Sequence, residues 1–278
     1  MRKVRKETPE SDPLRASRRL RSLTQATYVY CVVAADRRPK LTRVPRGMPG
    51  TAPVRLLDVD AGLFAVVADA PLDKYGETAI NRRLTDLEWV SRAAVSHEAV
   101  VEAFIAETAV LPMKLFTIFT TDDRAVAHVR AERPRIAAAV RRVANHQEWG
   151  VRVVLDRARA AAAAPKRNAA KAAPRGVAYL SRKKEHRDAV VELVAHARDT
   201  VAALYDRLSA RARLARKRSA SELPVQGGPL LLDAAFLVPR ARAASFEALA
   251  ARESRALAHH GYALTFSGPW PPYSFVQD

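Results

Sequence analysis

Seven histidines, one cysteine and 29 acidic side chains are the groups with which this 278-residue chain could do chemistry. A thiolate nucleophile needs a base beside it. Cys31 instead lies inside the run Tyr28-Val29-Tyr30-Cys31-Val32-Val33, where a small buried hydrophobe is the ordinary role. His97, followed by Glu98, falls in a gap of a helical apolar stripe. It reads first as a satisfied, buried histidine and second as a general base. Metal ligation needs His, Asp or Glu on one helix face with further ligands elsewhere. His259 and His260 are adjacent and point to different faces, and His186 and His196 stand ten apart. Asp122 and Asp123 suit the positive end of a helix better than a catalytic carboxylate pair. A phosphate cradle needs closely spaced glycines before a helix, whereas Gly227-Gly228 precedes Pro229 and a strand and reads as a turn. The residues therefore form no catalytic constellation, and the expectation is a protein without enzyme activity, metal or cofactor.

The elements that hold these residues follow from periodicity. The β-branched and aromatic run over 27–35 reads as a buried strand, and a basic, proline-rich loop follows. Val54–Val59 and Leu63–Ala68 flank Asp60-Ala61-Gly62 as a hairpin. Apolar residues at Leu87, Val90, Ala94, Val101, Phe104 and Ile105 predict a helix running to Pro112. Leu115–Phe119 is strand-like. Thr120-Thr121-Asp122-Asp123 offers caps for a helix from Arg124 to about Asn145, and Trp149–Leu155 reads as a closing strand. Beyond a linker come an extended piece at Val177-Ala178-Tyr179-Leu180 and a long helix carrying Val190, Val194, Val201, Leu204 and Leu208. A strand over Leu230–Val238, a helix from Ala241 to His260 and a strand over Tyr262–Phe266 complete the pattern. The chain ends on Gly268-Pro269-Trp270-Pro271-Pro272-Tyr273-Ser274-Phe275, a tail whose prolines exclude helix.

These elements make an α+β protein of two α+β domains. The expected organisation is a disordered basic arm over 1–23, a first domain over 24–156, a basic Ala/Arg/Lys/Pro linker over 157–175, a second domain over 176–268 and a docked tail over 269–278. Trp270, Tyr273 and Phe275 would bury against their own domain, the alternative being a strip that docks on a partner.

Charge narrows the function classes. Lys and Arg number 47 against 29 Asp and Glu, a net +18 in a chain that is 49% hydrophobic. The apolar fraction excludes wholesale disorder, and no window of about 18 apolar residues could span a bilayer. The lone cysteine excludes a disulfide scaffold and places the chain in a reducing, cytoplasmic setting. Residues 1–22, 36–46, 157–187 and 207–218 carry +5, +4, +9 and +6, so the remainder is −6. The cations thus sit in an arm, a loop, a linker and a helix end, without the interleaved aromatics of a base-stacking surface, which argues against specific nucleic-acid binding. A basic nucleic-acid-binding protein and an enzyme of unrecognised type are the rival readings.

Four landmarks resemble the gas vesicle protein F/L family: Tyr28-Val29-Tyr30; Ser96-His97-Glu98-Ala99-Val100-Val101-Glu102 leading to Val110-Leu111-Pro112-Met113-Lys114; Gly176 to Lys183 with Tyr179 and Leu180; and the tail from Gly268 to Phe275, the most specific. They follow the family's order over about nine tenths of the chain. After Leu111-Pro112 the family usually carries arginine, phenylalanine and glycine, where this chain has Lys114-Leu115-Phe116-Thr117. The basic arm, the loop at 36–53 and the linker are additions to the usual pattern. The resemblance implies two α+β domains of ferredoxin-like character. It also implies a non-enzymatic minor component of gas vesicle assembly, a buoyancy structure, acting with the hydrophobic shell protein and other accessory proteins. No membrane is required.

Overall fold

A computed structural model describes residues 24–156, 196–218 and 229–276. The basic arm, the linker and the segment holding Tyr179 and Leu180 lie outside the described residues. The chain divides into two compact units, Met1–Ala144 and Asn145–Asp278, each built on an antiparallel sheet with helices, an α+β architecture.

In the first unit the apolar run forms β1 (Gln25–Ala34), with eight of ten residues buried. The hairpin forms as the sequence predicts: β2 (Arg55–Asp60) and β3 (Leu63–Pro71) turn at Gly62, whose φ of +71° suits glycine. Two short helices, α1 (Leu72–Tyr75) and α2 (Glu77–Arg83), lead to α3 (Leu87–Glu102), capped by the Asp86 carboxylate accepting from Trp89 N. β4 (Ala109–Pro112) and β5 (Ile118–Phe119) both pair with β1, and α4 (Asp122–Ala131) and α5 (Arg133–Val143) close the unit. The sheet order is β2-β3-β1-β4.

Several expectations change here. The face of α3 that packs inward is Trp89, Ala93, His97, Val100 and Val101. Leu87 and Val95 point outward, 81% and 67% exposed. His97 therefore lies on the buried face and not in its gap: its Nδ1 meets the Tyr28 hydroxyl at 2.7 Å, while two aliphatic side chains are left in water. The helix ends ten residues before Pro112, and Val110-Leu111-Pro112 is strand, since pairing with Val33, Val32 and Cys31 supplies hydrogen bonds that a helix would forgo. The expected helix from Arg124 to about Asn145 is two, broken at Glu132 with Pro134 in the first turn of the second. Thr121 is the cap of α4, accepting from Arg124 N at 3.2 Å. Of the strand-like run 115–119 only Ile118 and Phe119 pair. Phe116 has φ +63°. Its ring stacks on Trp89 at 5.1 Å and 6°, a contact that offsets a left-handed backbone costing about 1–2 kcal/mol.

The second unit begins twelve residues before the expected boundary. The strand assigned to the end of the first domain is instead β6 (His146–Leu155), interior to the second sheet. Local composition marks it as a strand but not which sheet it joins. Helical residues 196–209 (α6), β7 (Leu214–Lys217), β8 (Leu230–Pro239), α7 (Ala243–Ala258), β9 (Tyr262–Trp270) and a single turn, α8 (Tyr273–Val276), follow. The order is β7-β8-β6-β9. In both sheets, then, the strands run second, third, first, fourth. Trp149, Val151, Leu204, Phe236 and Phe246 are among the residues of one core between the helices and one sheet face. The basic run over 207–218 begins at the end of α6. It continues through β7, and two of its cations are engaged: Arg207 pairs with Glu253 at 2.8 Å and Arg218 with Asp233 at 2.8 Å.

Candidate functional site

The C-terminal motif is built from the edge of the second sheet. β9 extends past Phe266 through Gly268-Pro269-Trp270, and its pairing with β6 is interrupted between Ser267, opposite Gly150, and Trp270, opposite Glu148. Proline is tolerated there because β9 is an edge among the described strands and the ladder is already broken. Gly268 has φ +124°, and a Cβ on it would lie 2.9 Å from the Glu148 carbonyl oxygen and 3.1 Å from the Trp149 ring. No other residue fits. The Gly268–Pro269 peptide is cis. Trp149 in turn stacks on Phe266 at 4.8 Å and 8°.

After Trp270 the chain reverses. Pro271 and Pro272 are buried, Phe275 is 3% exposed, and Trp270 and Tyr273 are half-buried. Tyr273–Val276 is a helical turn, which corrects the expectation that the prolines exclude helix: both precede the turn, where a missing N–H costs nothing. The turn is fastened by Glu148. Ser274 N donates to Glu148 Oε2 and the Ser274 hydroxyl donates to Oε1, both at 2.7 Å. Glu148 is 3% exposed. Burial raises its pKa above the ordinary carboxylate value, opposed by the two Ser274 hydrogen bonds and by Arg218 and Arg216. Beside it Asp233, 7% exposed, is held between Arg218 Nε at 2.8 Å and Arg152 Nε at 3.0 Å. The arrangement surrounds two buried carboxylates with arginines and hydrogen-bond donors; it clamps the C-terminal turn and presents no reacting pair. Reading the motif alone misses Glu148, Ser274 and Arg218. The available signal was a carboxylate immediately before the strand-like run Trp149–Leu155.

The first unit contains the second polar cluster. A bulge between Val29 and Cys31 sets Tyr28 and Tyr30 side by side, ring centroids 4.7 Å apart, and both rings meet His97. The Tyr28 hydroxyl is 2.7 Å from His97 Nδ1 and accepts from Phe116 N at 3.3 Å. Burial pulls the His97 pKa down to about 4, outweighing a hydrogen bond with the Met113 backbone that acts the other way. Burial likewise raises the Tyr28 hydroxyl and the Cys31 thiol. His97 is thus a neutral packing residue, 5% exposed, and Leu111 and Pro112 are buried in β4 against β1. Asp122 is engaged by Arg55 at 2.7 Å and by the Thr27 hydroxyl at 2.8 Å. Among the described residues no three His, Cys, Asp or Glu are grouped to hold a metal ion, and no helix is long and apolar enough to cross a membrane.

A sequence model of the family described as gas vesicle synthesis protein GvpL/GvpF matches residues 26–277. Gas vesicle protein L of Streptomyces sp. (strain CB03234) is 30% identical over 261 residues, 92% of this chain and 94% of that protein. Gas vesicle protein F of the same strain is 31% identical over 268 residues, 91% of this chain and 100% of that protein. Identity to the two is thus nearly equal. The crystal structure of GvpF from Anabaena sp. PCC7120 is similar with a TM-score of 0.66 at 18% identity, covering 92% of this chain and 97% of that one. That of GvpF from Microcystis aeruginosa gives 0.63 at 16%, covering 91% and 99%. At these identities the two structures establish a shared fold.

Proposed function

The chain belongs to the gas vesicle synthesis protein GvpL/GvpF family, and from that premise we propose that it is a non-enzymatic assembly factor and minor component of the gas vesicle. In this reading it works in the cytoplasm, binds the hydrophobic shell protein together with other accessory proteins, and helps to nucleate or extend the wall. The shared strand order of the two sheets supports ferredoxin-like character in both units.

The observation that carries the reading is the set of three aliphatic side chains left in water at and just before α3 on the first unit. Leu84, Leu87 and Val95 are 48%, 81% and 67% exposed, and Leu87 and Val95 lie about 12 Å apart along one side of α3. Aliphatic side chains so exposed on a helix suit a partner that is itself apolar. The β2, β7 and β9 edges among the described strands suit one less. β2 carries Arg55, Asp58, Asp60 and a bulge, β7 carries Arg216 and Lys217, and β9 is interrupted at Pro269, all features that discourage strand addition. For the C-terminal motif the burial of Phe275 and the hold of Glu148 support docking within its own unit.

The test is affinity capture of the full chain from cells expressing the gas vesicle cluster, comparing wild type with Leu87→Ser/Val95→Ser. Shell protein should be recovered with the wild type and lost with the double variant, while the unfolding midpoint changes little because both sites are exposed. Equal recovery with both would refute the assigned surface; recovery with neither would refute shell-protein binding.

A further inference from the structure

The crossover from β1 to β2 carries five cations, Arg37, Arg38, Lys40, Arg43 and Arg46, against one acid, Asp36. In the second unit the corresponding crossover contains α6; here the chain crosses without a helix. It is nonetheless fixed. Pro39 and Met48 are buried. Met48 N donates to the Tyr30 hydroxyl, the Tyr75 hydroxyl donates to Pro49 O, and the Thr51 hydroxyl donates to Met48 O, each at 2.8 Å. Gly47 approaches Tyr30 so closely that a Cβ would sit 2.0 Å from its hydroxyl. The inward residues anchor the segment, and all five cations point outward and are exposed.

Their engagement differs. Arg38 is committed to Asp58 and to the face of the Phe64 ring. Arg37, Lys40, Arg43 and Arg46 make no ion pair among the described residues. Four cations are therefore held on an ordered backbone with nothing of opposite charge among the described residues bound to them. A backbone already ordered spends less conformational entropy when a ligand arrives, which distinguishes this segment from a flexible basic tail of equal charge.

We propose that this crossover is a docking strip for an acidic peptide segment of a partner protein. Carboxylates spaced along a peptide match single cations spaced along a helix-free backbone that turns between Leu41 and Val44, and arginine adds two-pronged contacts. A nucleic acid is the less fitting ligand, because no aromatic residue lies between 36 and 50 to stack a base. The inference stands independently of the gas vesicle role.

The experiment uses the full chain and a fluorescein-labelled deca-glutamate peptide, with binding followed by anisotropy at low and physiological salt. Arg37→Gln/Lys40→Gln/Arg43→Gln/Arg46→Gln should weaken binding about tenfold at low salt. A control with the same loss of charge, Arg124→Gln/Arg133→Gln/Arg135→Gln/Arg141→Gln, should stay within about twofold. Arg37→Lys/Arg43→Lys/Arg46→Lys should retain most of the affinity. Equal weakening by both quadruple variants would reduce the effect to net charge and overturn the proposal, as would no weakening by the first. A duplex oligonucleotide that outcompetes the peptide, and loses that advantage in the first variant, would overturn it in favour of nucleic acid.

Discussion

If the C-terminal turn is part of the folded second unit, cutting its contacts must lower that unit's stability by amounts the geometry sets. Phe275 is 3% exposed, so Phe275→Ala should cost about 3–5 kcal/mol, as for a buried aromatic truncated to alanine. Ser274→Ala removes one of the two 2.7 Å hydrogen bonds to a buried carboxylate and should cost about 1.5–3 kcal/mol. The assay is urea unfolding followed by tryptophan fluorescence in a Trp89→Phe background. That change leaves Trp149 and Trp270, both in the second unit, as reporters. A double-mutant cycle isolates the clamp: if Ser274 acts through Glu148, the cost of Ser274→Ala should shrink by about 1 kcal/mol or more once Glu148→Gln is present. A Phe275→Ala variant with the parent's midpoint and slope would refute docking. A Ser274→Ala cost unchanged by Glu148→Gln would refute the clamp.

Two further outcomes follow from the first unit. His97 has a folded pKa of about 4 against an ordinary 6.5, so its neutral form contributes stability that is fully present above pH 6.5 and lost as pH falls towards 4. The loss should reach about 3 kcal/mol, and urea titrations at stepped pH should show a steeper acid decline for wild type than for His97→Gln; parallel declines would contradict it. At Phe116, where φ is +63°, alanine keeps the strained backbone and loses the Trp89 stack, whereas glycine loses the stack and relieves the strain. Phe116→Ala should therefore be the more destabilising by about 1 kcal/mol, the reverse of the usual order, as read by thermal unfolding.

What the sequence makes legible is what short-range pattern encodes. The run Tyr28–Val33, the Asp60-Ala61-Gly62 turn and the leucine-rich strand from Leu230 each carry a local signal strong enough to survive tertiary context. The role of β6 does not, because partner choice is a long-range property: Glu148, Gly150 and Arg152 could face either sheet until β8 and β9 are placed beside them. The inward face of α3 is hidden in the sequence by a polar residue at a core position, and the partner of the His97 Nδ1, Tyr28, lies sixty-nine residues away. The C-terminal motif was visible by its composition, but the carboxylate that fastens it lies 126 residues earlier.

The central claim, an assembly role exercised through the exposed face of α3, is tested most directly by reconstituting vesicle formation. Cells carrying the remaining gas vesicle genes would receive no copy, wild type, or Leu87→Ser/Val95→Ser, with vesicles counted by electron microscopy. Vesicles should form in number only with the wild type. Full vesicle numbers without this chain would contradict an assembly role, and full numbers with the double variant would contradict the α3 surface.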